Sequence, residues 1–471
     1  MIDRVARSAA MVLVVGVLGC RDDSVAVTPD GASSVPPARA RNLLLISVDA
    51  LRADRVGCYG GRAEASPSVD WLGSEGVRFA ECHAPMGMTL PCVTSLFTSR
   101  YPDETGVVHN QAIVSDEEFT LAERLKDAGF RTRGFVANGV LRADASGIDQ
   151  GFDSLERIYG EYKMTTLAIE HLNEGFGADD REFLWVHYMD PHQPYDRREP
   201  FATDFDPDYD GAVDAEAETL DRIFVEKEAL ADRDLSHILA VYDSQVRFIS
   251  MQIGRLLSAL EMSGAAEETL IVFTADHGEE LYAHNRYFYH ANSVYGAVTH
   301  VPLIFKQTGA VPAGVVVDSL TELVDVMPTI LAHLGIDPTA GDALTRPRGI
   351  DLHGAFDGGA VRKEFAVAQV AREVYGLRTA RWFLVENPND FMPRSVPEEG
   401  EYPIGALQLF DLERDRAERE NVADAHADVV KKMRARLASW RASLATSATA
   451  KQDLTPEELQ ELEQLGYLGE K

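Results

Sequence analysis

The chain has 471 residues, 45% hydrophobic and 26% charged, which is enough for one large core and a smaller second unit. Its 76 acidic against 45 basic side chains leave a net charge of −31, which argues against nucleic acid or anionic lipid held by broad positive potential. A small anionic substrate fits such a chain only where something local, a metal ion above all, supplies the attraction.

In MIDRVARSAAMVLVVGVLGC, Arg4 and Arg7 precede an apolar run that closes on Val17-Leu18-Gly19-Cys20 and is too short for a permanent bilayer span. Small residues before a cysteine resemble a bacterial lipobox. Residues 1–19 therefore read as a lipoprotein signal peptide and Cys20 as the lipidated first residue, with an ordinary signal peptide as the alternative. Residues 20–41, rich in Pro and Ser, read as a flexible tether. The expected location is the cell envelope, facing the periplasm or the surface, with Cys20 as the one membrane attachment. Cys58, Cys82 and Cys92 then allow at most one disulfide, and none has zinc-type spacing to another.

Leu43–Val48 (LLLISV) is a short apolar run ending in Asp49, which suits a strand buried on both faces. SPSVDWLGSEGVRF predicts a helix closing near Gly76 and then a strand. FTLAERLKDAGFRTRGFVAN repeats the theme, with Leu121, Leu125 and Ala128 at helical spacing and Gly129 as the stop. FLWVHYMDPH is another buried strand, a long helix is expected from about Ser236 to Ser263, and TLIVFTADHGEE supplies one more strand. Strands alternating with helices predict an α/β fold with a mostly parallel central sheet flanked by helices. The main domain is expected over 42–355. Residues 356–471, with VRKEFAVAQVAREVYGLRTARWFLVEN and a last amphipathic helix, predict a smaller C-terminal α+β subdomain.

Three strands end in ionisable residues: Asp49, Asp190 with His192, and Asp276 with His277. Ligands of open α/β sheets bind outside the carboxyl ends of the strands. GMTLPCVTSLFTSRYP adds a helix entry with Thr89 at its mouth. A threonine there serves either as an N-cap, bonding the N–H of Cys92, or as a nucleophile favoured by the helix dipole.

NLLLISVDALRADRVGCYG, TLPCVTSLFTSRYPDETGV, FLWVHYMDPHQPY, TLIVFTADHGEE, HVPLIF and LQLFDLERDRAERENVA, in this order, resemble the sulfatase family of the alkaline-phosphatase superfamily. The resemblance implies a divalent cation (Ca, Mn, Mg or Zn) on Asp49, Thr89, Asp276 and His277, and a small anionic ester as substrate. It also places His192 and His290 near the leaving group or the bound oxyanion. Carboxylates, a hydroxyl and one imidazole form a ligand set consistent with such an ion. His187 and His284 are expected to be structural and Asp190 to orient its neighbour, and the spacing of Asp190, His192 and His290 does not establish a second metal site.

The sequence departs from the family pattern at the nucleophile. Thr89-Leu90-Pro91-Cys92-Val93 stands where the family carries CxPSR, so no formylglycine is expected, and Cys92 lies inside the helix. Ala50 replaces a second aspartate, and Val136-Ala137-Asn138-Gly139 replaces GKxH. These changes resemble the threonine-dependent branches of the superfamily, which implies Asn138 as an oxyanion contact. The expected function is hydrolysis of sulfate or phosphate esters through covalent catalysis at Thr89. The alternatives are a phosphodiesterase or phosphotransferase of the same superfamily, or a catalytically silent binding lipoprotein.

Overall fold

The computed structural model describes residues 40–444, 450, 451, 455, 456 and 460, apart from 144, 177–179, 226–228, 285–287, 341–344, 390 and 392–405. The expected signal peptide, Cys20 and nearly all of the tether lie outside the described residues. Among the described residues no helix is long and apolar enough to cross a membrane.

Thirteen segments supply what positions the site. Strands β1 (Asn42–Val48), β2 (Val77–His83), β3 (Ala112–Ile113), β4 (Phe130–Val136) and β5 (Ser154–Arg157) come first. They are followed by β6 (Arg181–Tyr188), β7 (Thr269–Ala275), β8 (His300–Lys306) and β9 (Val315–Glu322). β10 (Ala366–Val370), β11 (Val374–Arg378), β12 (Trp382–Glu386) and β13 (Leu407–Asp411) complete them. An eight-stranded sheet runs in the order β5-β4-β6-β1-β7-β8-β2-β9, and every pairing is parallel except the two made by β8. The central strands β1 and β7 are buried along their whole length, as their unbroken apolar runs require in a sheet covered on both faces.

Helices cover both faces of this sheet. Two positions of β6 three residues apart show the alternation: Trp185 packs on Phe97 of the Thr89–Thr98 helix at 4.7 Å between ring centroids, whereas Tyr188 bonds Thr165 of the Glu161–Gly175 helix at 3.0 Å. The helix expected to begin near Ser236 starts four residues earlier and runs Asp232–Ser263. Leu121–Asp127 begins with a capping box, in which Thr120 Oγ1 accepts the N–H of Glu123 and Glu123 returns a carboxylate oxygen to the N–H of Thr120. Gly129, at φ +83°, ends that segment in the left-handed conformation glycine tolerates best.

The C-terminal sheet is an antiparallel meander, β10-β11-β12-β13, on which the Ala427–Ala442 helix packs through Trp440, 6.5 Å from Tyr375 of β11 and edge-on to Tyr101 at 5.0 Å. Cys58, Cys82 and Cys92 are free thiols.

Candidate active site

The sheet brings four loops to one edge because its ladder hydrogen bonds continue past the strand ends. The N–H of Asp49 donates to the Tyr188 carbonyl at 2.9 Å, that of Asp276 to Val48 at 3.3 Å, and that of Ala137 to His187 at 3.0 Å. The turns after β1, β4, β6 and β7 therefore leave the sheet in register. Around them Asp49, Thr89, Asn138, His187, His192, Asp276, His277 and His290 are all buried.

The two carboxylates are each divided between a bonded and a bare oxygen. Asp49 Oδ2 accepts Asn138 Nδ2 at 2.5 Å and lies 3.4 Å from His187 Nε2 and 3.5 Å from Thr89 Oγ1. Asp276 Oδ1 accepts the N–H of Ala50 at 3.2 Å and that of His277 at 2.8 Å. Asp49 Oδ1 and Asp276 Oδ2 receive no hydrogen bond among the described residues, although both are buried. His277 Nε2 lies 3.5 Å from the first and 3.6 Å from the second. The other ring nitrogen of His277 contacts the Gly278 carbonyl at 2.9 Å, which places the proton on Nδ1 and the lone pair on Nε2.

Two bare buried oxygens and one imidazole lone pair converge, all within 4.8 Å of one another, and among the described residues these three form the one such cluster. The donor set fits a divalent cation, since leaving buried carboxylate oxygens unpaired is costly without one. The electrostatics agree. Burial and the charge of Asp49 push Asp276 well above the usual carboxylate range. Burial would raise Asp49 too, but His192, His187 and His277 hold it well below that range. Burial, with His290 alongside, lowers His277 to about 3, so its imidazole is neutral and suited to ligation.

Thr89 is the first residue of its helix and does not cap it. The N–H of Cys92 donates to the Met88 carbonyl at 3.1 Å, and the N–H of Leu90 is taken by Asn110 Oδ1 at 2.9 Å. The Thr89 hydroxyl stands instead 3.5 Å from His277 Nε2 and 3.4 Å from Asn138 Nδ2. Asn138 thus turns its amide toward Asp49 and Thr89, while its carbonyl oxygen accepts the N–H of Val140 at 2.8 Å. Cys92 is buried, its thiol bonds the Met86 carbonyl at 2.8 Å, and burial pushes its pKa far up, as expected of an inert core cysteine.

His192 and His290 join the same group. The His290 ring lies 4.5 Å from that of His277 and 4.8 Å from that of His192. Burial lowers His290 to about 4. Its Nδ1 faces Glu279 Oε1 at 3.0 Å, an acid the sequence reading passed over although it stands two residues after His277. Asp190 does not take the orienting role expected of it. Its carboxylate is gripped by Arg198 at 2.6 and 2.8 Å, and His192 Nδ1 turns to the Gln193 carbonyl at 2.5 Å. Among the described residues Asp190, His192 and His290 do not converge as a second metal site. His284 is structural, set between Glu280 at 2.8 Å and the Ala417 carbonyl, and it stacks on Tyr295. His187, expected to be structural as well, instead reaches Asp49.

A cavity of about 830 Å³ opens between the main sheet and the C-terminal meander, bordered by Arg52, Arg78, Arg378, Arg416 and Ala297. None of the clustered residues lines it. Arg378 is paired there with Glu418, and Arg372 pairs elsewhere, with Asp103 at 3.3 Å.

Comparison with known proteins places this site in a family context. The sulfatase family model matches residues 41–336. The chain is 24% identical over 364 residues to an uncharacterized sulfatase, YidJ, of Escherichia coli, covering 66% of this chain and 72% of that one. It is 21% identical over 477 residues to an N-acetylglucosamine-6-O-sulfatase of Bacteroides thetaiotaomicron, covering 81% and 82%. A structure solved in complex with D-glucosamine-2-N,6-O-disulfate superposes with a TM-score of 0.70 at 19% identity, over 86% of this chain and 98% of that one. A phosphonate monoester hydrolase of Agrobacterium radiobacter gives 0.66 at 21% identity, over 88% and 100%. These two likenesses are of fold.

Proposed function

The chain belongs to the sulfatase family of ester hydrolases, and we propose that within it Thr89 replaces the usual nucleophile in a cation-dependent hydrolysis of small sulfate or phosphate esters. The observation that supports this reading is the approach of Thr89 Oγ1 to 3.5 Å from both Asp49 and His277, beside two bare carboxylate oxygens.

Asp49, Asp276 and His277 would hold the cation, which when bound would acidify the Thr89 hydroxyl and offset charge on the substrate. As the Thr89 oxygen attacks sulfur or phosphorus, its hydroxyl proton passes to the neutral imidazole of His290 or His192, the bond from the central atom to the leaving oxygen breaks, and that imidazole hands the same proton on to the departing alkoxide. Glu279, facing His290 Nδ1 at 3.0 Å, holds that ring in place. A threonine ester cannot collapse to an aldehyde. Water must therefore attack the central atom in a second displacement, returning the oxygen and a proton to Thr89. Asn138, 3.4 Å from Thr89 Oγ1, steadies the attacking oxygen through its amide. Attachment to the envelope through Cys20 belongs to the same proposal and rests on the sequence alone.

The test is a panel of 4-nitrophenyl sulfate, phosphate, phosphodiester and phosphonate esters, each run with Mn²⁺, Zn²⁺, Ca²⁺, Mg²⁺ and chelator. Turnover of at least one ester that disappears with chelator is expected. Silence across the panel with every metal would point to a binding lipoprotein instead.

A further inference from the structure

We infer that His187 is a positioning residue for Asp49, fixed by a buried hydrogen-bonded chain that starts at Trp185 and passes through Ser47. The inference rests on the reading of Asp49 as a cation ligand. The chain exists because β1 and β6 are parallel neighbours in which Ser47 stands opposite His187. Trp185 lies two residues before His187, and Asp49 two after Ser47, so strand alternation turns all four side chains to one face.

The direction of the protons follows from the two ends of the chain, an indole that donates and a carboxylate that accepts. An indole N–H only donates, and Trp185 Nε1 donates to Ser47 Oγ at 2.8 Å. Ser47 Oγ keeps a second lone pair and could accept from His187 as well, but Asp49 Oδ2 accepts, so the ring donates there and the Ser47 hydrogen turns to His187 Nδ1 at 2.8 Å. With Nδ1 accepting, the ring carries its proton on Nε2, which faces Asp49 Oδ2 at 3.4 Å. All four residues are fully buried. Trp185 itself is wedged between Phe97 at 4.7 Å and Phe152 at 5.8 Å, so the chain starts from a ring that has no room to turn.

The consequence falls on the carboxylate. His187 and Asn138 occupy Oδ2 as donors, and Oδ1 is left bare toward His277 and Asp276. Rotating the carboxylate would pull Oδ2 away from both donors. The relay therefore presents Asp49 to a cation through one chosen oxygen, a task that Asn138, holding the same Oδ2, shares. A histidine that merely filled the core would need no particular tautomer, and its replacement by an apolar residue of similar size would leave metal affinity unchanged.

The experiment is titration calorimetry of Mn²⁺ into the full chain without substrate, for wild type, His187→Leu, His187→Gln and Ser47→Ala, with the thermal midpoint in chelator as a folding control. His187→Leu is expected to weaken Mn²⁺ about 10- to 100-fold, the range seen when partners of metal ligands are removed. Gln places an amide donor near the former Nε2 and is expected to recover most of that loss. Ser47→Ala, which frees the tautomer while keeping the ring, is expected to weaken binding several-fold, and it decides the question if His187→Leu does not fold. Wild-type affinity in His187→Leu, or in Ser47→Ala where it stands alone, overturns the positioning role. Absence of Mn²⁺ binding by the wild type would instead overturn the reading of Asp49 as a ligand, and this inference with it.

Discussion

Thr89 holds its hydroxyl oxygen 3.5 Å from His277 Nε2, although 188 residues separate them in the chain. The helix that starts at Thr89 puts its positive end at this point, so the hydroxyl and the dipole address the same anion. Thr89→Ala is expected to lower turnover of the best ester by about a thousandfold or more, as removal of a nucleophile does elsewhere. Thr89→Ser keeps the oxygen and is expected to stay within about tenfold. Steady-state rates of the two variants, with circular dichroism to show that both fold, check this pair.

Asp276 makes the metal-free protein sensitive to pH in a specific direction. Its folded pKa is raised by burial and by Asp49, so its favourable contribution is complete below the unfolded value of 3.8 and is lost as pH rises through the folded value. In chelator, Asp276→Asn is expected to gain stability over wild type progressively as pH climbs above about 4. Adding Mn²⁺ at a hundred times its dissociation constant is expected to stabilise wild type by about 2.7 kcal/mol and the variant hardly at all. Urea unfolding across pH, with and without Mn²⁺, measures both effects.

Gly278 has no room for a side chain. A Cβ there would lie 2.3 Å from the Ala297 carbonyl, and the Gly278 carbonyl is the group that fixes the His277 tautomer. Gly278→Ala is expected to cost about 1–3 kcal/mol, typical of overpacking, and to weaken Mn²⁺ binding by turning His277. Denaturation midpoints and calorimetry report the two losses separately.

Cys92 is expected to be dispensable. Cys92→Ala removes one buried sulfur at a cost of about 1 kcal/mol and is expected to leave turnover within threefold. Mass spectrometry of the peptide carrying Thr89 and Cys92 is expected to show both residues unmodified. A mass corresponding to an aldehyde at Cys92 would contradict the assignment of chemistry to Thr89.

Much of the reaction centre is legible in the sequence because strand ends advertise themselves. Asp49 and Asp276 each follow an apolar run of β propensity, and their strands are neighbours in the sheet. Thr89 is marked by the helix it opens. What stays hidden depends on which strands adjoin and on how loops fold back. His187 and Ser47 are separated by 140 residues, and only the pairing of β6 with β1 shows that they touch. Glu279 looks like surface charge until the loop after β7 returns His290 to it, 11 residues later. The partner of Asp190 is hidden as well, because Arg198, eight residues on, competes for it more strongly than a neighbouring imidazole can. The antiparallel course of β8 was hidden too, since a buried apolar strand reads the same in either direction.

Trp185 joins two parts of the molecule that chemistry requires to stay in step. One side of its indole rests on the helix that opens with Thr89, and its nitrogen holds the strand that ends at Asp49. The atom proposed to attack and the carboxylate proposed to hold its cation thus share a single foundation stone. Enlarging or trimming Phe97 or Phe152 would shift that stone, so damage deep in the hydrocarbon interior would register first as misaligned reactants in a protein that still folds.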